Sequence, residues 1–377
     1  MKTKIKYLVV VLLSLCWIEN ISSVFKTPLW SPRDEVQHYD YINCISDGHL
    51  PKAEQKVSHF TERLFYTWVD SFMNTRGYWY KSYEANQPVA YYALLAVPNL
   101  ALKKMDVSPS ALIYSLRIIS LSIVLIAVLI LLYTAKEFEQ YPLLRYSAFF
   151  SAMVISFISK DVFVSLGNDN LSVLFGAVQF YLFLQEKEET KNIFWMIATA
   201  SFATFFVKVT NGLLFIPCGL YMVLHKDLLT KMLGVKLVAV LLIFPFAKYV
   251  FLPSSITTNQ PIDYPGRGIV NFLTLLFGNT FGISFQYSLW VGLLLLLTLC
   301  GSLFITRREE LNKSLCFQYS TLAVFTSAVV LNYVLLGIPW SAFRHFAVMY
   351  PFMITGFIQS FVVLSQQIMP IRSRTFS

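Results

Sequence analysis

The sequence predicts an all-α membrane protein, a single polytopic bundle of about ten transmembrane helices over residues 1–377. Of its 377 residues 56% are hydrophobic and only 14% are charged. The mean hydropathy is +0.58, which excludes a water-soluble fold. Apolar runs recur along the whole length, and Lys and Arg alternate with them as the positive-inside rule requires.

The first run, 5–22, follows Lys2, Lys4 and Lys6. It has the shape of a signal peptide, but no small-x-small site follows Cys16, so a retained anchor is expected. Residues 23–110 then form the one large connection. Trp68, Tyr78, Trp79 and Tyr80 within it mark an ordered subdomain lying at the interface. Its stretch 88–102 is apolar but too short to span, which predicts a re-entrant or surface-parallel helix. Further spans are expected at 111–134, 146–165, 170–185, 193–208, 211–225, 234–252, 286–306, 317–338 and 346–364. Those at 170–185 and 211–225 are short, which suits tilted or broken helices. The stretch 269–285, broken by Gly278 and Gly282, is a second re-entrant candidate. No internal repeat or low-complexity linker is visible.

With the N-terminus inside, the inner connections carry Lys136 and Arg145, Lys187 and Lys191, Lys226 and Lys231, and Arg307, Arg308 and Lys313. The tail adds Arg372 and Arg374. The outer connections between later spans are poor in basic residues. Both termini are therefore expected in the cytoplasm, in a multi-pass protein of the cell inner membrane. The net charge of +9 follows this alternation and does not call for nucleic acid. Of the five cysteines only Cys44 is clearly outside, and no disulfide framework or metal-type spacing follows.

Polar groups at span ends collect on the outer face. Asp34, Glu35 and His38 follow the first span; Gln87, Tyr91 and Tyr92 sit where the large loop returns; Asn168 and Asp169 join two spans. Lys208 and Asn211 join the next pair, Arg267 lies in an outer loop, and Arg344 with His345 opens the last span. Each has a plainer reading: Asp169 as a helix cap, Lys208 and Arg344 as snorkelling cations, His38 and His345 as hydrogen-bond partners. Ionisable groups at membrane depth nonetheless cost free energy unless paired or used. No nucleotide motif is present. A sugar carried on a lipid phosphate fits an outward site: a carboxylate removes the proton of an acceptor hydroxyl, and Arg or Lys neutralises the departing phosphate.

At these residues the chain resembles the GT-C superfamily, the multispanning glycosyltransferases that use polyprenyl-phosphate sugars and include protein O-mannosyltransferases and the lipid A aminoarabinose transferase. Pro32-Arg33-Asp34-Glu35 with His38 looks like the acidic motif of the first outer loop. Gln87-Pro88-Val89-Ala90-Tyr91-Tyr92 is similar to the family's Pro-Pro-Leu-Tyr-Tyr segment. Asn168-Asp169 resembles the second acidic position, Lys208-Val209-Thr210-Asn211-Gly212 the Lys-x-x-Gly turn, and Arg344-His345-Phe346 the step into a late span. Gln87 departs from the Lys that aminoarabinose-type members carry.

The resemblance implies inverting transfer of a sugar from a polyprenyl phosphate to a glycan, lipid or protein hydroxyl. Asp34 or Glu35 would be the base and Asp169 the orienting carboxylate. Lys208, Arg267 and Arg344 would meet the phosphate, and the Tyr91-Tyr92 segment the lipid or sugar. No obligatory cofactor is expected; two separated acidic positions could share a divalent metal, although hard cations need more oxygen ligands than can be assigned. Membrane lipid is a partner and nucleic acid is not. Two rival readings are a transporter or flippase of a lipid-linked glycan, which would place its charges near the midplane, and a non-catalytic subunit of similar architecture.

Overall fold

The computed structural model describes residues 2–30, 35–52, 57, 82–185, 189–225, 298, 316–322 and 348–368. These are mostly helical, and no strand occurs among the described residues. In chain order the helices are α1 (Lys2–Lys26), α2 (Glu35–Ser46), α3 (Ala90–Lys104), α4 (Pro109–Glu137), α5 (Pro142–Val162), α6 (Asp169–Leu184), α7 (Glu189–Phe202), α8 (Phe215–Leu224) and α9 (Tyr350–Ile368). Short 3₁₀ turns cover Tyr83–Asn86 and Val209–Leu214, and a π turn covers Ala203–Val207. The expected span at 234–252, that at 286–306 apart from residue 298, most of the one at 317–338, and the stretch 269–285 lie outside the described residues.

Local sequence explains the boundaries. Pro109 and Pro142 open α4 and α5 at the first helical position, where a missing N–H costs nothing. Gly48, at φ +83°, ends α2: its N–H donates to the Ile45 carbonyl and that of His49 to the Cys44 carbonyl, both at 3.0 Å. Asp106, at φ +54°, does the same for α3 through bonds to Lys103 (3.1 Å) and from Val107 to Leu102 (3.3 Å). Both are the left-handed caps that satisfy the last carbonyls of a helix.

Among the described residues two helices, Pro109–Glu137 and Pro142–Lys160, are long and apolar enough to cross a membrane. Along α4, Ile118, Ile126, Leu129 and Tyr133 form an exposed apolar stripe, and along α5 Tyr146, Phe150 and Phe157 form another. Stripes of that kind are unfavourable in water and natural in lipid.

The chain divides into two compact units. One comprises Met1–Val128, Met153–Leu174 and Phe202–Asn211; the other comprises Leu129–Ala152, Phe175–Ser201 and Gly212–Ser377. In the second, Phe180, Phe183, Phe317 and Phe352 pack with ring centroids 5.1–5.9 Å apart. Its backbones approach closely at two glycines: a Cβ on Gly176 would collide with the Val348 carbonyl, and one on Gly356 would sit 2.7 Å from the Phe317 oxygen. Those of the polar residues picked out from the sequence that are described fall in the first unit.

Candidate functional site: a polar network around the head of α2

Glu35 opens α2 and is fully buried. Its carboxylate meets Arg117 of α4, also fully buried, through Nε–Oε1 at 2.7 Å and Nη2–Oε2 at 2.5 Å. The Leu166 N–H donates to Oε1 at 3.1 Å and the Trp30 N–H to Oε2 at 2.9 Å. Arg117 spends its other N–H groups on the end of α1: Val24 O at 2.9 Å, Thr27 O at 2.7 Å and Pro28 O at 2.8 Å. Five guanidinium donors and the four lone-pair positions of the carboxylate are thus all used. The pair caps carbonyls that the helix end leaves without partners and ties α1, α2, α4 and the α5–α6 turn together.

Trp30 sits at φ +62°, a strained conformation for a bulky residue, costing of order 1–3 kcal/mol. The bond from its N–H to Glu35 and the packing of its ring on Tyr39 at 5.6 Å hold it there. So engaged, Glu35 has no lone pair with which to take a proton from substrate. Asp34, its neighbour in the acidic motif, lies outside the described residues, as do Arg267, Arg344 and His345.

One turn further along α2, His38 is buried against α3. Its Nδ1 lies 2.9 Å from the Tyr92 hydroxyl, which donates to Glu84 Oε2 at 3.0 Å. The Tyr92 ring stacks between His38 (5.7 Å) and Tyr41 (4.0 Å). Tyr91 points its hydroxyl to the neighbouring turn, accepting from the Gly167 N–H at 2.9 Å and meeting Ser120 Oγ at 2.8 Å. Asn170 donates to the same Ser120 oxygen at 2.8 Å. Burial pushes the Tyr91 hydroxyl up from its ordinary value, and the carboxylates Glu35 and Asp169 add to that. Burial followed by Glu84 does the same for Tyr92, so both phenols stay neutral. Gln87 enters through its backbone: its carbonyl accepts the Tyr41 hydroxyl at 3.2 Å.

Asp169 begins α6, where the helix dipole favours a carboxylate, and its Oδ1 accepts from Lys208 Nζ. A π turn delivers Lys208. The Lys208 N–H bonds back five residues to the Ala203 carbonyl at 2.9 Å, and the Asn211 amide caps the same oxygen at 3.1 Å. Irregular turns of this kind concentrate at functional positions. Asn168 is buried, with an Nδ2 that finds no hydrogen-bond partner among the described residues.

Of the residues expected from sequence, Glu35, His38, Gln87, Tyr91, Tyr92, Asn168, Asp169 and Lys208 therefore all belong to one unit. Arg117, Glu84, Ser120 and Asn170 are additions. The signal for Arg117 was present, a lone cation inside the apolar run of α4, since an ionisable residue within a span implies a partner or a function. Among the described residues no group of three or more His, Cys, Asp or Glu gathers as a cation site.

Comparison with protein-family models, with curated proteins and with solved structures finds no match to this chain.

Proposed function

We propose that the protein is a membrane glycosyltransferase of the GT-C type, a bundle of about ten spans with both termini in the cytoplasm. It moves a sugar, with inversion, from a polyprenyl phosphate to an acceptor hydroxyl at the outer face. The observation that carries the reading is the gathering of His38, Tyr91, Tyr92, Asp169 and Lys208 from distant stretches into one unit, at the motif positions that resemble the family.

In this reading the acceptor hydroxyl loses its proton beside the head of α2, where Asp34 is the carboxylate candidate of the acidic motif. The acceptor oxygen bonds to the anomeric carbon as the bond from that carbon to the phosphate oxygen breaks. The electron pair leaves with the polyprenyl phosphate. Lys208, Arg267 and Arg344 are the cations that neutralise the departing charge, since charge-assisted bonds to phosphate are the strong ones. Lys208 is already held in place by Asp169.

The test is the purified full-length chain in lipid vesicles with labelled polyprenyl-phosphate sugars. Release of polyprenyl phosphate with transfer of the label, and slow release without acceptor, is the expected result. Movement of intact donor between leaflets without cleavage would replace the transferase by a transporter, and complete inertness toward every donor would leave a non-catalytic subunit.

A further inference from the structure

We infer that His38 Nε2 is the group that accepts the proton of the acceptor hydroxyl, held for that task by Glu84 through Tyr92; the assignment rests on the transferase reading.

The inference follows from donor and acceptor accounting. Tyr92 has one O–H, and it donates to Glu84 Oε2 at 3.0 Å. The contact of 2.9 Å between His38 Nδ1 and the Tyr92 oxygen must then be donated by the imidazole. That fixes the proton on Nδ1 and leaves the lone pair on Nε2. Nε2 has no hydrogen-bond partner among the described residues. Its neighbour in the α5–α6 turn is Gly167, whose Cβ position lies 3.9 Å from it. A side chain at position 167 would stand in van der Waals contact with the nitrogen.

The surroundings suit an imidazole that gains a proton. Glu84 lies 3.7 Å from Nδ1, so its carboxylate stabilises the imidazolium while Tyr92, kept neutral by burial, carries the hydrogen bond between them. Tyr91 meets the ring edge-on at 6.5 Å and is itself bonded to the Gly167 N–H. The other charges near this turn are paired, Asp169 with Lys208 and Glu35 with Arg117. A carboxylate orienting a base through a hydrogen bond is the logic of catalytic triads, here with a tyrosine interposed. Glu35, by contrast, has every lone pair engaged. In the transfer step the hydroxyl proton moves to Nε2, the acceptor oxygen bonds to the anomeric carbon, and polyprenyl phosphate leaves with the electron pair. The imidazolium then returns its proton to water.

Two measurements on the full chain in lipid test this. Solid-state NMR of protein labelled with ¹⁵N-histidine, with the His38 signals identified by their loss in His38→Asn, reads the tautomer directly. A protonated Nδ1 with a bare Nε2 is expected, becoming a mixture in Tyr92→Phe; a protonated Nε2 in the wild type overturns the assignment. The kinetic arm uses His38→Asn, whose amide nitrogen can still donate to Tyr92 while nothing replaces Nε2. Turnover of polyprenyl-phosphate sugar should fall by ~10² or more, with donor binding kept. Wild-type turnover in this variant would return the base role to Asp34. Inertness of the wild-type protein would count against the transferase reading itself, and the tautomer spectrum would still decide whether Nε2 is held as a bare acceptor.

Discussion

Arg117 and Glu35, 82 residues apart in the chain, form a two-pronged ion pair with neither side chain exposed. Desolvating two charges is costly unless geometry and further hydrogen bonds compensate, and here every donor and lone pair is matched. The pair fixes where α2 begins, and so where His38 stands.

Removing one partner should therefore cost far more than removing both. Arg117→Met strands the Glu35 carboxylate and should lower stability by about 3–5 kcal/mol. Arg117→Lys, with three donors and no fork, should recover only part of it. The double variant Arg117→Met with Glu35→Leu should melt above the single ones. Thermal unfolding in detergent measures this, and equal melting of single and double variants would show that the pair is not coupled.

Lys208 serves Asp169 in the resting protein and the donor phosphate in the proposed reaction. Lys208→Gln should cost about 1–3 kcal/mol for the buried carboxylate left without its cation, and should raise the KM for the lipid donor more than that for the acceptor. Asp169→Asn releases Lys208 and should affect donor use less. Steady-state kinetics with each substrate varied in turn separates the two; unchanged donor constants in Lys208→Gln remove it from the phosphate site.

Close backbone approach in the second unit makes two glycines sensitive to a single methyl. Gly176→Ala and Gly356→Ala should each lose about 1–3 kcal/mol through overpacking. Gly219→Ala meets nothing within 4 Å and should gain up to about 1 kcal/mol from helix propensity. Melting temperatures in the order Gly219→Ala, wild type, then the other two check the packing.

Alkaline pH should loosen the first unit. Burial, with nearby carboxylates, raises the hydroxyls of Tyr39, Tyr91 and Tyr92, and pushes that of Tyr41 up to about 12. A raised phenol favours the folded state while protonated; its contribution is complete below the unfolded value near 10 and is lost as pH climbs from there toward 12 and above. Spectrophotometric titration should show these phenols, out of 21 tyrosines, ionising late and together with unfolding. Ionisation near 10 without loss of structure would contradict their burial.

The apolar runs made the helices legible. The expected spans at 111–134 and 146–165 correspond to Pro109–Glu137 and Pro142–Val162, and the stretch 88–102, expected as a re-entrant or surface-parallel helix, corresponds to the helix Ala90–Lys104. Helix α2 escaped the reading because Glu35 through Cys44 is buried all round. Such a segment shows no amphipathic period, and its Asp-Glu start looks like a solvated loop. The span expected at 193–208 ends in a π turn, which hydropathy cannot register. The Asp169–Lys208 pairing depends on that turn, and the commitment of Glu35 to Arg117 depends on a contact no local pattern encodes. Trp30 at positive φ is likewise a product of the assembled clamp rather than of its own preference.

The central claim is that the polar cluster works from the outer face on a lipid-linked sugar, and sidedness tests it most directly. In a cysteine-free background, Leu50→Cys, exposed just beyond α2, and Lys191→Cys, exposed near the start of α7, are probed in intact cells with a membrane-impermeant thiol reagent. The account predicts labelling at 50 and none at 191 until the membrane is opened. Labelling at 191 with protection at 50 would put the cluster on the cytoplasmic side, where nucleotide sugars become the available donors, and would contradict it.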